Sequence, residues 1–277
     1  MANGILPAIE RAVLRVLTLN IWNLEGPWRQ RREEIVAWLD LLAPDVVCLQ
    51  EVMEAADGRN QARWLAEAGR ARYHVAYGPG SHHGDATLGN AILSRWPLDE
   101  PTVVPLATSA FADDVDRVVL HARTVGIDVF CTHLSWRFDD GAIRERQVVQ
   151  VAGAVRRLAD PSSPLPPILA GDLNAEPDST EVRFLTGLTS LGATSVYFQD
   201  AWRVAGGAGP GHTWDNRNPF AAASLEPDRR IDYVLVGWRR ADGAGRVESA
   251  AVACDRALTG TYATDHFGVV AEIARPG

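Results

Sequence analysis

Gly171-Asp172-Leu173-Asn174 follows directly on the apolar run Pro167-Ile168-Leu169-Ala170, the signature of a buried strand that delivers polar groups to its rim. In extended backbone alternate side chains share a face, which turns Asp172 and Asn174 the same way and Leu173 back toward the core. A carboxylate that accepts a proton or holds a cation, beside an amide that donates to an oxyanion, suits hydrolysis of a phosphoester. Asp and Asn next to Gly and Pro are also ordinary turn formers. The pattern recurs, because Asn20, Glu51, His133 and the pair Asp265-His266 each close a strongly apolar segment. Singly, Asn20 fits a turn cap, Glu51 a surface carboxylate and His133 a hydrogen-bonded core histidine. Together they are what one composite site leaves in a sequence, since ligand sites gather where strands end.

Periodicity outlines the elements that must carry these residues. Val13 to Leu19 reads as a strand ending in Asn20. From about Trp28 to Leu42, Ile35, Trp38, Leu39 and Leu42 share one helical face, and Pro44 stops the helix. Asp45 to Gln50 is a buried strand ending at Glu51. A helix around Asn60 to Gly69 precedes strands near Tyr73 to Tyr77 and Leu88 to Leu93, with a breaker-rich loop, Gly78 to Asp85, between them. Arg117 to Thr124 and Ile127 to Thr132 flank a tight Val125-Gly126 turn, an antiparallel hairpin whose second strand ends in His133. An amphipathic helix follows, with Val148, Val151, Ala152 and Val155 on one face. Beyond the Pro167 to Ala170 strand come a short helix near Ser179 to Leu188 and strands Ile231 to Val236, Val247 to Ala253 and Phe267 to Ile273. Two groups of strands, each followed by helices, predict an α/β fold, a four-layered α/β/β/α sandwich of two packed mixed sheets. The hairpins exclude a purely parallel doubly wound sheet.

The 277 residues are 47% hydrophobic, enough for a large core. The breaker-rich loops at Pro161 to Pro167 and Gly206 to Pro219 are short and flanked by core segments, so residues 1–277 read as a single domain. Net charge is −8, and every basic residue is an Arg. That balance opposes tight non-specific nucleic-acid binding without excluding a local basic cleft. The groups Arg29, Arg31, Arg32, then Arg144, Arg146, and Arg229, Arg230, Arg239, Arg240 read as solvated faces. Cys48, Cys131 and Cys254 lie in apolar runs and read as reduced, buried thiols. Ile5 to Ala12 is too short, and too broken by Pro7 and Glu10, for a signal peptide. No apolar stretch reaches membrane-spanning length, so a cytoplasmic monomer is expected.

The ordered series Leu19-Asn20, Leu49-Gln50-Glu51-Val52, Gly89-Asn90-Ala91-Ile92-Leu93-Ser94-Arg95, Thr132-His133-Leu134, Gly171-Asp172-Leu173-Asn174, Arg230-Ile231-Asp232-Tyr233 and Thr264-Asp265-His266 resembles the endonuclease/exonuclease/phosphatase superfamily. That superfamily includes DNase-I-like nucleases, abasic-site endonucleases, bacterial sphingomyelinases and inositol polyphosphate phosphatases. The resemblance runs from Leu17 to Phe267 in the family's order. It implies a DNase-I-like sandwich with Glu51 as a ligand of Mg2+, or of Mn2+, Asn20 beside it and Asp265 completing the metal environment. It further implies that Asp172 orients or deprotonates the attacking water and that Asn174 holds that water or a phosphate oxygen. His266 would contact the phosphoryl group, with Asp232 on its other ring nitrogen, and His133 would face the scissile phosphate. Asn90 belongs to the same series and is expected at the substrate. Trp22 departs from the pattern, because some nuclease members carry Asp at that position. Thr132-His133 departs from the abasic-site enzymes, and the missing Lys from the inositol-phosphatase branches.

Arg117, Trp136 and Arg137 are expected at the rim, for a phosphate or an organic group. Trp214, within Gly211-His212-Thr213-Trp214-Asp215, reads either as packing a long loop onto the core or as a substrate contact. His82, His83 and Asp85 read as a second metal patch or a solvated rim. The expected activity is metal-dependent hydrolysis of a phosphoester, a phosphodiester above a monoester, on a small or lipid-like substrate. A DNA or RNA nuclease is the alternative. A catalytically silent binding module is the third reading, opposed by the absence of any inert residue in the series.

Overall fold

A computed structural model describes residues 12–111 and 115–276. The Ile5 to Ala12 stretch lies outside them except for Ala12. The first sheet holds β1 (Val13–Asn20), β2 (Val46–Glu54), β3 (His74–His83), β4 (Ala86–Ser94), β11 (Val247–Ala253) and β12 (Gly268–Ala274), in the order β11-β12-β1-β2-β4-β3. The second holds β5 (Thr102–Pro105), β6 (Val118–Thr124), β7 (Ile127–His133), β8 (Ile168–Asp172), β9 (Gln199–Asp200) and β10 (Asp232–Val236), in the order β5-β6-β7-β8-β10-β9. Each sheet has one parallel pair, β1 with β2 and β7 with β8, and all other pairs are antiparallel.

Alternation within the strands explains the layering. One face of each sheet, with Val16, Val46, Cys48 and Ile92 from the first and Leu120, Val129, Cys131, Ala170 and Val234 from the second, makes the inter-sheet core. The opposite face of the first sheet packs Leu17, Leu19, Val47 and Leu49 on Ile35, Trp38 and Leu39 of α1 (Trp28–Leu42) and on Leu65 of α2 (Gln61–Ala68). The opposite face of the second packs Phe130, Leu169 and Leu235 on Val148, Val151 and Val155 of α3 (Gly141–Leu158) and Val182 and Leu185 of α4 (Thr180–Leu185). This is the four-layered sandwich. The short α5 (Ala201–Ala205) and α6 (Pro219–Ala222) lie between α4 and β10, on either side of the loop expected at Gly206 to Pro219. The three cysteines are free and buried.

Two expectations change. β3 runs through Gly78-Pro79-Gly80 to His83, because pairing with β4 absorbs the breakers in a register shift between Pro79 and Ser81. The loop expected from Gly78 to Asp85 shrinks to the turn at Gly84 and Asp85. β2 likewise does not stop at Glu51: a register shift between Leu49 and Val52 carries it on to Glu54. Glu51 itself has φ of 56°, so a bulge aims this side chain where a regular strand would not.

Gly171 decides how close β7 and β8 approach. A Cβ there would lie 1.9 Å from the Thr132 carbonyl oxygen. Gly171→Ala is therefore expected to push the two strands apart and to destabilise the fold by about 3 kcal/mol. A chemical-denaturation midpoint equal to wild type would refute that steric argument.

Candidate active site

The parallel pairs bring their C-terminal ends to one edge of the sandwich, where loops leave a crevice. Asn20 ends β1, Glu51 bulges from β2, His133 ends β7 and Asp172 ends β8. Cross-strand register places His133 opposite Asp172, and Asp172 opposite Asp232 at the start of β10. The loop before β12 adds Asp265 and His266. Glu51, Arg117, His133, Trp136, Asp172, Asn174, Trp214, Asp265 and His266 line a common cleft of ≈ 360 Å³. Asn20 and Asp232 lie buried behind it. Asn90 is set aside from this cleft: its amide donates to the Val118 carbonyl at 3.0 Å, tying the sheets together beside a small recess shared with Glu51, Arg117 and His133.

Asp172 is the hub. Its Oδ1 accepts the Asn174 backbone N–H at 2.9 Å, and its Oδ2 accepts Asn20 Nδ2 at 3.1 Å. His133 Nε2 lies 3.3 Å and His266 Nε2 3.7 Å from the same oxygen. Burial, reinforced by Asp232, raises the Asp172 carboxyl to about 7, so its proton is exchanged near neutrality. Asp232 Oδ2 binds His266 Nδ1 at 2.9 Å. Burial opposes a charged ring at His266, yet Asp232, Asp172 and Asp265 raise it to about 10, leaving an imidazolium. His133 goes the other way: burial, Arg117 and His266 hold it well below the usual imidazole range. Asn174 Nδ2 donates to His133 Nε2 and to the Leu134 carbonyl, both at 3.1 Å, which puts the neutral ring's hydrogen on Nδ1. One charged and one neutral histidine thus flank a carboxylate that titrates near neutral pH.

Two carboxylate groupings bear on a cation. Asp172, Asp232 and His266 offer one atom each within 4.8 Å of one another, but an imidazolium already supplies positive charge there. Glu51 and Asp265 form the second grouping, with the Arg31 charge acting on both and that of His266 on Asp265. Burial and then Glu51 raise Asp265 to about 6, against the pull of His266. Two hard carboxylates held together at this cost fit a divalent cation of the magnesium type. Asn20 presents its amide nitrogen to Glu51 Oε1 at 3.1 Å, while its oxygen accepts the Trp22 N–H at 3.0 Å.

A sequence model of the Endonuclease/Exonuclease/phosphatase family matches residues 17–266, across both sheets and every residue of the cleft floor. The chain belongs to that family. Members of the endonuclease/exonuclease/phosphatase family are generally hydrolases of phosphoester bonds and usually use divalent metals. The uncharacterised protein YbhP of Escherichia coli strain K12 is 29% identical over 178 residues, 58% of this chain, and the chain spans 66% of that protein's length. The endonuclease/exonuclease/phosphatase from Beutenbergia cavernae DSM 12333 superposes with a TM-score of 0.69 at 25% identity, covering 96% of this chain and 72% of its own. TDP2 of D. rerio, solved with a single-strand DNA product, gives a TM-score of 0.71 at 20% identity over 95% of this chain and 99% of its own. These similarities match the four-layered sandwich read from the sequence.

Several buried polar residues that the sequence left without a role hold the fold around the endonuclease/exonuclease/phosphatase cleft. Thr213 Oγ1 accepts the N–H groups of Ile231 and Asp232, each at 3.1 Å, and fixes the strand end that presents Asp232. Asn218 Nδ2 holds the carbonyls of Thr264 at 2.7 Å and Asp265 at 3.0 Å. Arg31, expected on a solvated face, is 0% exposed. Arg144, Arg229 and Arg230 are also buried, paired with Glu181, Glu226 and Asp200. Spacing gave a signal for Arg31, four residues before Ile35 and seven before Trp38 on the buried face of α1. Trp214 is buried and lines the cleft, with its ring edge-on to His266 at 4.9 Å. Among the described residues His82, His83 and Asp85 form no cluster able to hold a metal, and His83 borders the cleft.

Proposed function

We propose that the chain is a divalent-cation-dependent phosphodiesterase. The observation that carries this reading is Asp172 on the cleft floor, shared between Asn20, His133 and His266 and facing the carboxylates Glu51 and Asp265. In its ionised form Asp172 takes the proton of an attacking water, oriented by the two amide donors that hold it. His266, kept charged by Asp232, stabilises the charge that builds on the phosphoryl oxygens. His133, neutral and fixed by Asn174, donates no charge and shapes the wall beside Arg117. Glu51 and Asp265 are the residues that would hold Mg2+ or Mn2+, which when bound neutralises phosphate charge.

A small or lipid-like substrate is supported by the rim, where Trp136 and Phe138 are 41% and 56% exposed, and by the net charge of −8. Arg117 and Arg229 in the cleft favour the nuclease alternative. No helix among the described residues is long and apolar enough to cross a membrane.

The deciding assay measures turnover of bis-p-nitrophenyl phosphate, p-nitrophenyl phosphate, sphingomyelin, inositol phosphates and plasmid DNA with Mg2+, Mn2+ or EDTA. Diester turnover that needs the cation and vanishes in His266→Ala is expected. Glu51→Gln is expected to raise the half-activating metal concentration about tenfold or more. Absence of turnover of every phosphoester, with no metal binding, would overturn the enzymatic reading.

A further inference from the structure

Two different amides hold the two oxygens of Glu51. Asn20 Nδ2 donates to Oε1 at 3.1 Å, and Asn23 Nδ2 donates to Oε2 at 3.0 Å. Asn20 belongs to the strand-end series, whereas Asn23 lies in the loop after β1 and belongs to no motif. Its amide has a fixed direction. Asn23 Oδ1 accepts the backbone N–H groups of Leu24 at 2.6 Å and Glu25 at 3.2 Å, so the NH2 group must face Glu51.

The loop that carries Asn23 is itself clamped to β2. The Asn23 carbonyl accepts Gln61 Nε2 at 2.8 Å and Arg31 Nη2 at 3.1 Å. Gln61 Oε1 in turn accepts the N–H of Met53 at 2.7 Å, two residues beyond Glu51 on the same strand. Donor and acceptor are thus joined by a second route through α2. Trp22, Asn23 and Glu51 also have positive φ, 52°, 35° and 56°, a conformation that persists only where the surroundings over-determine it. A neutral donor on each carboxylate oxygen leaves a lone pair on each, so Glu51 is oriented without its charge being cancelled. That is the state a hard cation requires of a ligand.

We propose that Asn23 is a positioning residue of the metal site, holding Glu51 Oε2 so that the carboxylate meets a divalent cation without rearrangement. The proposal rests on Glu51 being a ligand, as the proposed function has it. Asn23→Asp separates this role from a purely local one, because it keeps the Oδ1 that caps Leu24 and Glu25 and exchanges only the donor for a second carboxylate. Asn23→Ala removes both.

The test is calorimetric titration of the EDTA-stripped full chain with Mn2+, paired with Tm measured with and without Mn2+, for wild type, Asn23→Ala, Asn23→Asp and Glu51→Gln. Asn23→Ala is expected to weaken Mn2+ binding about tenfold, the worth of one hydrogen bond to a charged group. Asn23→Asp is expected to lower the metal-free Tm, since it sets like charges together, and to tighten Mn2+ binding, since both carboxylates then meet the cation. Opposite shifts in affinity are a signature that loop damage alone does not produce. Wild-type Mn2+ affinity in both variants, with Glu51→Gln impaired, overturns the role of Asn23 and leaves the metal reading standing. Absence of Mn2+ binding by wild type removes both. If Asn23→Ala fails to fold, Asn23→Asp decides alone, and unchanged affinity there overturns the proposal.

Discussion

Asp172→Asn is expected to lower kcat about a thousandfold, the usual yield of a positioned general base, and to change how stability depends on pH. The sign follows from the direction of the shifts. The Asp172 carboxyl sits at about 7, against 3.8 for the free group, so the folded chain binds that proton more tightly than the unfolded chain does. Its contribution is complete below the unfolded value and is lost as pH rises through about 7. His266 behaves alike at higher pH: its contribution is complete below 6.5 and is lost as pH rises through about 10. In EDTA the wild-type Tm should therefore fall in two stages between acid and alkaline pH. Asp172→Asn should shrink the first stage, to which Asp265 also contributes through its raised value of about 6, and reduce the second less, because Asp232 and Asp265 still hold His266 up after the Asp172 charge is gone. Melting curves across that range, with kcat measured in parallel, check both halves. A variant that keeps a tenth of wild-type kcat would remove Asp172 as the base.

Arg31→Met is expected to cost about 3–5 kcal/mol, as removing a buried charge while its partners stay in place does. Arg31 is 0% exposed and spends its guanidinium on main-chain oxygens. Nε and Nη2 reach the Glu25 carbonyl at 3.0 and 2.7 Å, and Nη1 reaches Ile21 at 2.8 Å and Ala263 at 3.2 Å. Nη2 also reaches Trp22 and Asn23, each at 3.1 Å. Met matches the stem and removes the side-chain donors from the Ile21, Glu25 and Ala263 carbonyls, while Trp22 and Asn23 keep the Glu25 N–H and Gln61 Nε2. Burial lowers Arg31 to about 10 while Asp265 and Glu51 support its charge, so the same change removes a positive charge that acts on those carboxylates. Arg31→Lys tests the fork separately, because an ammonium keeps the charge but not the planar set of donors. Equilibrium urea denaturation is the measurement, and a loss under about 1 kcal/mol in Arg31→Met would contradict the clamp.

Regular pattern carried most of what was legible beforehand. α1 spans Trp28–Leu42 as its spacing and Pro44 predict, and Asn60 proves to be the residue capping α2. The Val125-Gly126 turn has φ of 46° and 79°, the tight geometry that joins β6 to β7. Strand ends placed His133, Asp172, Asn174 and His266 together because each lies at, or just beyond, a rim that the parallel pairs share. What escaped depends on contacts between distant segments. A bulge aims Glu51, cross-strand pairing overrides the breakers at Gly78 to Gly80, and Asn23 acts only through its meeting with Glu51. Arg31 sits among Arg29, Gln30 and Arg32, where composition suggests water, and its burial reflects carbonyls supplied by residues 21–25 and 263.

β1 is the first strand among the described residues, and its partner on one side is β12, the last, with Val13 opposite Ala274. Arg15 and Glu272, 257 positions apart, close that seam at 2.6 Å. Every strand of the second sheet lies between these partners in sequence, so during synthesis the β12-facing edge of β1 stays open until that sheet has been made. Asp265 and His266 arrive with the same late segment. Until then the nascent chain carries no assembled cleft, and a chain truncated before residue 265 has one sheet complete and the other unfinished. The cleft is complete only when β12 docks on β1.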